Sequence, residues 1–210
     1  MIGQYFDKTY LINIPHRETR RIQSLLECEK VGLDPFVFPA IDGFKEQTPY
    51  QNPRNIPAIQ WNHGAAALNL TTIKLLEDAK RNKYRSVLIL EDDIEFHPQI
   101  NMIVDEYIDG IPEDWEMIQF GCVHKQTPEK VTYRVFRIRQ ADCLHCYAIR
   151  DTAYDLMIEE ILKMNQPLDW ITQYKIQPRG RSYCILPNFA YQRAEYSDIA
   201  QMNVNYVFLK

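Results

Sequence analysis

Ser86-Val87-Leu88-Ile89-Leu90-Glu91-Asp92-Asp93 reads as a buried strand that stops in three consecutive acids. The nearly continuous apolar run at residues 86–90 is the pattern of a strand covered on both faces. Such a strand does not end in concentrated negative charge without cause, and ligands of open α/β sheets bind outside the carboxyl ends of strands. Strand alternation points Glu91 and Asp93 to one side and Asp92 to the other. Two carboxylates on one side suit a hard divalent cation, Mg²⁺ or Mn²⁺, which completes its shell with water and phosphate oxygens. The plainer alternative is a solvated acidic loop leading to the next helix at Pro98.

Working outward, residues 9–14 form a β-branched and aromatic run ended by Pro15, a strand feeding a turn. Residues 17–31 read as an amphipathic helix, with Ile22, Leu25, Leu26 and Val31 on one face and Arg17, Arg20 and Arg21 among the charges on the other. Gly32 is placed to cap it. A second strand at 35–40 leads into a long irregular connection at 41–60, of the kind usually tied to function. Residues 65–80 form a helix with Leu68, Thr72, Leu75, Leu76 and Ala79 on one side. Further strands are expected at 116–120, 133–138, 144–149 and 183–186, with a helix from Asp151, as N-cap, to about Met164. This order predicts an α/β fold, a sheet with helices on both sides and a mixed C-terminal half.

The 210 residues carry 24 Lys and Arg against 28 Asp and Glu, a net charge of −4. That length predicts one domain, which buries roughly 70% of its unfolded surface without help from disulfides or a structural metal. The acidic balance argues against nucleic acid as a partner. Five cysteines without dense spacing suggest free thiols and a reducing compartment, hence a cytoplasmic location. No signal peptide is read at the N-terminus, and no apolar run reaches the roughly 20 residues of a transmembrane segment, which leaves only a peripheral membrane contact open.

Several segments in order resemble glycosyltransferase family 25, the lipooligosaccharide and collagen galactosyltransferase-like group. Tyr10-Leu11-Ile12-Asn13-Ile14-Pro15-His16-Arg17 with Arg20-Arg21 is similar to its first strand and turn, and Ala40-Ile41-Asp42-Gly43 to its second-strand motif. Residues 64–76 resemble its Gly- and Ser-His-bearing helix, although Ala67 and Thr71-Thr72 stand here instead. Residues 87–93 resemble the strand with its metal-binding acids, and the segment from Pro187 through Gln192 to Ser197-Asp198-Ile199 its C-terminal signature. The resemblance implies a GT-A type, Rossmann-like nucleotide-diphospho-sugar transferase fold with a mixed central sheet. It also implies a nucleotide-sugar half at about 1–95, an acceptor half at about 96–210, a UDP-hexose donor, and a glycan, glycolipid or protein-linked acceptor.

On that basis Asp93 is the expected principal ligand of Mn²⁺ or Mg²⁺, with Glu91 assisting and Asp92 near the ribose or donor sugar. His145 is a candidate third ligand, or a hydrogen-bonded strand histidine. Pro15, His16, Arg17 and Asp42 would contact the nucleotide, although Asp42-Gly43 also reads as a plain turn pair. Arg17, Arg20 and Arg21 also read as a solvated helix face, with only Arg17 close enough to the turn to favour a diphosphate contact. Gln192, Ser197 and Asp198 would touch the donor diphosphate or order the tail. The family generally inverts, which calls for a carboxylate base. Asp169, in Pro167-Leu168-Asp169-Trp170, is the candidate; it also reads as an ordinary N-cap. Trp170 reads either as a sugar platform or as a core residue.

Cys143-Leu144-His145-Cys146 with Cys122-Val123-His124 invites a zinc reading, but one pair falls inside a predicted strand, against a standard finger. The leading expectation is a metal-dependent, inverting UDP-sugar hexosyltransferase moving galactose or glucose. The alternatives are a catalytically silent module of the same fold and, more remotely, a nucleotidyltransferase, whose Gly-rich phosphate loop is missing from the Pro15 turn.

Overall fold

Val87, Leu88, Ile89 and Leu90 are all fully buried, so the apolar run is a strand covered on both faces. Each such side chain contributes about 1.5–3 kcal/mol by leaving water. The computed structural model describes residues 1–205 and Leu209. Its strands are β1 (Lys8–Asn13), β2 (Phe36–Pro39), β3 (Ser86–Glu91), β4 (Ile94–Phe96), β5 (Met117–Gln119), β6 (Val123–Gln126) and β7 (Glu129–Lys130). They continue with β8 (Val135–Arg137), β9 (Gln140–Asp142), β10 (Cys146–Arg150), β11 (Ser182–Ile185), β12 (Ala190–Gln192), β13 (Glu195–Ser197) and β14 (Met202–Val204). The helices are α1 (Glu18–Lys30), α2 (His63–Arg81), α3 (Ile100–Tyr107), α4 (Asp151–Leu162) and α5 (Leu168–Ile171), the last running into a π-helical turn at Thr172–Ile176.

Eight strands form one mixed sheet in the order β2-β1-β3-β10-β5-β11-β8-β7. The first three run parallel, whereas β10 lies antiparallel between β3 and β5. Alternate residues of β3 and β10 enter two cores. Leu88, Leu90, Cys146 and Ala148 pack with Cys28 of α1 and Ile100, Ile103 and Val104 of α3. Val87, Ile89, Tyr147 and Ile149 pack with Leu75, Leu76 and Ala79 of α2 and Tyr154, Met157 and Ile161 of α4. Helices therefore flank both faces, as the order of elements predicts. No helix among the described residues is long and apolar enough to cross a membrane.

Two local expectations change. In α1 the buried residues are Ser24 and Cys28, while Ile22 and Leu26 are 50% and 52% exposed. The helix turns the line Arg20-Ser24-Cys28, at spacing i, i+4, toward the protein, because Ser24 Oγ donates to the Asp92 carbonyl (2.6 Å) while Cys28 enters the core. In α4, Asp151 is the first helical residue and not the cap; Arg150 holds the cap position and supplies no side-chain cap bond.

Candidate active site

Parallel pairing sets Ile12 opposite Glu91, so β1 and β3 end at the same edge of the sheet. After β1 the chain turns through Pro15, with the Arg17 N–H donating to the Ile14 carbonyl (2.8 Å). Asn13 Nδ2 reaches across to the Asp92 carboxylate (2.6 Å). Outside these strand ends lies a cleft of about 980 Å³, at the upper end of the range for small-molecule sites. Glu91, Asp92 and Asp93 line it with His16, Arg17 and Asp42. Asp169 and Trp170 join from α5, and Gln192, Ser197 and Asp198 from the C-terminal segment. These sequence-predicted residues thus meet in one cavity, while Pro15 is an exposed turn residue off its wall.

The close approach of the Asp42 turn to α2 depends on Gly43, where a Cβ would lie 2.0 Å from the His63 carbonyl oxygen. Thr71, at a position where the family resemblance broke down, secures the same turn: its Oγ1 accepts the Ile41 N–H (3.0 Å) and donates to the Ala67 carbonyl (2.8 Å). Beyond it, Asp42 lies 3.6 Å from His16 Nδ1.

Arg20, expected on a solvated face, is largely buried and sits among four carboxylates. It lies 2.7 Å from Asp92, 3.4 Å from Asp93, 3.5 Å from Glu195 and 3.6 Å from Asp198. Arg193 closes the same end, donating to the Asp92 carbonyl (2.7 Å) and to Glu195 (3.1 Å). Arg17 pairs with Asp198. Gln192 Nε2 donates to Asp93 Oδ2 (3.3 Å), whereas Asp93 Oδ1 is buried with no hydrogen-bond partner.

Burial pushes the Asp93 carboxyl up to about 6, although Arg20 pulls it down. Burial also raises Asp92, against Arg20 and the Asn13 hydrogen bond. Glu91 is held well above the carboxylate range, by burial first and then by the charges of Asp93 and Asp169. Asp169 is pushed up to about 6 by burial and then by Asp142, while the Cys143 N–H, donating to its Oδ1 (2.9 Å), opposes the shift. Cys143 makes this contact from a left-handed backbone (φ 76°), a conformation an L-residue holds only under tertiary constraint. Lys125 pairs with Asp142 at 2.5 Å. Carboxyls raised by burial, with one Asp93 oxygen left unpartnered, can bind a divalent ion and accept a proton.

His145 is not brought to the cleft. Its ring is fully buried, and Nε2 lies 3.0 Å from the Ala190 carbonyl oxygen, to which it donates. Gly121 makes the space, since a Cβ there would lie 2.6 Å from that nitrogen. Burial lowers the imidazole to about 4, so it is neutral at pH 7. Periodicity misses Arg20 on the cleft wall, and Asn13 and Arg193, which hold Asp92 from behind it; only the i, i+4 line through Ser24 and Cys28 signals Arg20.

The mixed sheet with helices on both faces and an acid-tipped β3 at the cleft is the GT-A type of fold found among nucleotide-sugar transferases. Residues 6–186 match the profile of Glycosyltransferase family 25 (LPS biosynthesis protein), and the chain belongs to that family. It is 24% identical to mouse procollagen galactosyltransferase 2 over 174 residues, an alignment spanning 76% of this chain and 27% of the relative. A glycosyltransferase 25 family member of Aedes aegypti is 28% identical over 126 residues, 53% of this chain and 20% of that protein. The chain therefore spans about a quarter of the length of these relatives. In fold it is similar to a glycosyltransferase involved in glycosylation of the major capsid of PBCV-1, with a TM-score of 0.50, 12% identity and coverage of 84% of this chain and 79% of the other.

Proposed function

We propose that this chain transfers a hexose, galactose or glucose, from a UDP-sugar to a hydroxyl of a glycan, glycolipid or protein-linked acceptor, with a divalent cation at the donor diphosphate. The observation that carries this reading is the meeting of Glu91, Asp93 and Asp169 in one cleft of a family 25 chain. The galactosyl activity in the name of the mouse relative favours galactose.

Asp93 and Glu91 would hold Mn²⁺ or Mg²⁺. The unpartnered Oδ1 of Asp93 and an all-oxygen donor set fit a hard cation. Such an ion, when bound, neutralises a leaving diphosphate. Asp92, fixed by Asn13 and Arg20, serves the ribose or donor sugar in this reading. His16, Arg17 and Asp42 take the nucleotide on the turn shaped by Pro15. Gln192, Ser197 and Asp198 cover the diphosphate from the tail.

Asp169 acts as base. It takes the proton of the acceptor hydroxyl while that oxygen bonds to the anomeric carbon and the bond from that carbon to the UDP oxygen breaks. This single displacement inverts the anomeric centre. A carboxyl at about 6 is mostly ionised at pH 7 and a better base than an ordinary one. Trp170 and Tyr174 pack edge-to-face at 6.1 Å on the cleft wall and offer an acceptor sugar an aromatic surface.

Calorimetric titration of UDP with Mn²⁺ and again with the metal chelated tests the donor half, with Asp93→Asn as control. The expected result is metal-dependent binding that the substitution removes. Absence of binding under both conditions overturns the reading in favour of a silent module of the same fold.

A further inference from the structure

Cys122, His124 and Cys184 converge away from the carboxylate cleft, and none of the three lines it. Lys125, the next residue on β6, does line the cleft, as alternation along a strand requires. His124 Nε2 lies 3.5 Å from Cys122 Sγ and 3.7 Å from Cys184 Sγ, and the three ligand atoms fall within 4.8 Å of one another. In a tetrahedral zinc site, Zn–N of about 2.0–2.1 Å and Zn–S of about 2.3 Å give N···S edges of about 3.6 Å. Both N···S spacings already present match that figure. Both cysteines are buried, in an apolar nest with Ile138 and Ala141.

We infer that Cys122, His124 and Cys184 form a binding site for a thiophilic divalent cation, Zn²⁺ being the best fit, with the fourth position open to water. Binding releases two thiol protons to solvent. Two thiolates, a neutral imidazole and the ion then sum to zero charge, the condition for burying the centre cheaply. Sulfur and imidazole donors separate this site from the oxygen-lined cleft, which suits harder ions. The ligands are also structurally independent: His124 lies on the two-stranded β6–β9 sheet, and Cys184 on β11 of the main sheet. A metal here pins the two-stranded β6–β9 sheet, which carries Lys125 and Asp142, to the body of the protein. The inference rests on this geometry alone and stands whether or not the chain transfers sugar.

The test is titration of the reduced 210-residue chain with Co²⁺, read by thiolate-to-cobalt charge-transfer absorption, followed by displacement with Zn²⁺. Wild type is expected to bind one ion with sulfur ligation. Cys184→Ser and the better tolerated His124→Gln, both checked for native circular dichroism, should lose about tenfold or more in affinity. Cys28→Ala, remote on α1, should bind as wild type. Zinc-loaded wild type should also melt higher than the chelated protein, and this difference should vanish in Cys184→Ser. Absence of charge-transfer absorption in the folded, reduced protein overturns the site. So does unchanged affinity in both ligand variants, or a Cys122–Cys184 disulfide by mass spectrometry with no metal uptake after reduction.

Discussion

Arg20 holds its guanidinium 2.7 Å from the Asp92 carboxylate, and the same group reaches Asp93 at 3.4 Å. One fixed positive charge therefore faces two adjacent acids of the β3 end, with Glu195 and Asp198 close behind. Arg17 and Arg193 share these last two acids, so the end of β3 keeps an excess of negative charge that an additional cation relieves.

Removing the guanidinium leaves buried carboxylates uncompensated. Arg20→Met should lower stability by roughly 3 kcal/mol at pH 7 and abolish metal-dependent UDP binding at that pH, because Asp92 and Asp93 shift further toward their protonated forms. Urea denaturation and calorimetry read the two effects. A loss of under about 1 kcal/mol would mean that the cluster is solvated after all.

Asp169→Asn should leave UDP affinity within about twofold of wild type and slow sugar transfer by about 10²-fold or more. In wild type, transfer should fall as pH drops through about 6, where Asp169 gains its proton. A wild-type rate in the variant, measured by product formation at saturating donor, removes Asp169 from the mechanism.

The same shift fixes a sign for stability. Asp169 has a folded-state value of about 6, above the ordinary carboxyl, so its protonated form favours folding and that contribution is lost as pH rises from about 4 through 6. Asp169→Asn, whose amide oxygen still accepts the Cys143 N–H, should match wild type near pH 4 and exceed it by about 1–2 kcal/mol at pH 7.5. Equal stabilities at both pH values would show that Asp169 is not desolvated.

Gly43→Ala places a methyl against the His63 carbonyl, 2.0 Å away before relaxation. The Asp42 turn must lift off α2, costing about 1–3 kcal/mol and weakening nucleotide binding. Thermal melts that superimpose on wild type would mean the turn is free to move.

Strand β3 and its acids were legible because a continuous apolar run has a single comfortable environment, and the three acids contradict it. The flanking helices were legible from period alone. The buried side of α1 was not: periodicity sorts residues by apolarity, and it sent Ile22 and Leu26 inward, although the helix lies over a charged strand end where Arg20 and Ser24 are the better neighbours. Asp169 could be singled out locally, yet its displaced acidity comes from burial and from Asp142, 27 positions earlier in the chain. His145 lay next to the acids by strand pairing, but its ring turns to Ala190, a contact that only the tertiary fold supplies. Cys184 could not be joined to Cys122 and His124 from spacing, since β11 arrives beside them through sheet order.

Gln192 bonds Asp93 across 99 positions of sequence, and Arg193 caps the Asp92 carbonyl from the same late segment. During synthesis the acid tip of β3 therefore emerges from the ribosome long before the side chains that cover it. A chain halted before Gln192 would carry the strand and most of both cores but leave that tip open to water. The cleft is in this sense completed only by residues that follow both cores, and competence to bind a nucleotide should report that the segment around Gln192 and Arg193 has docked.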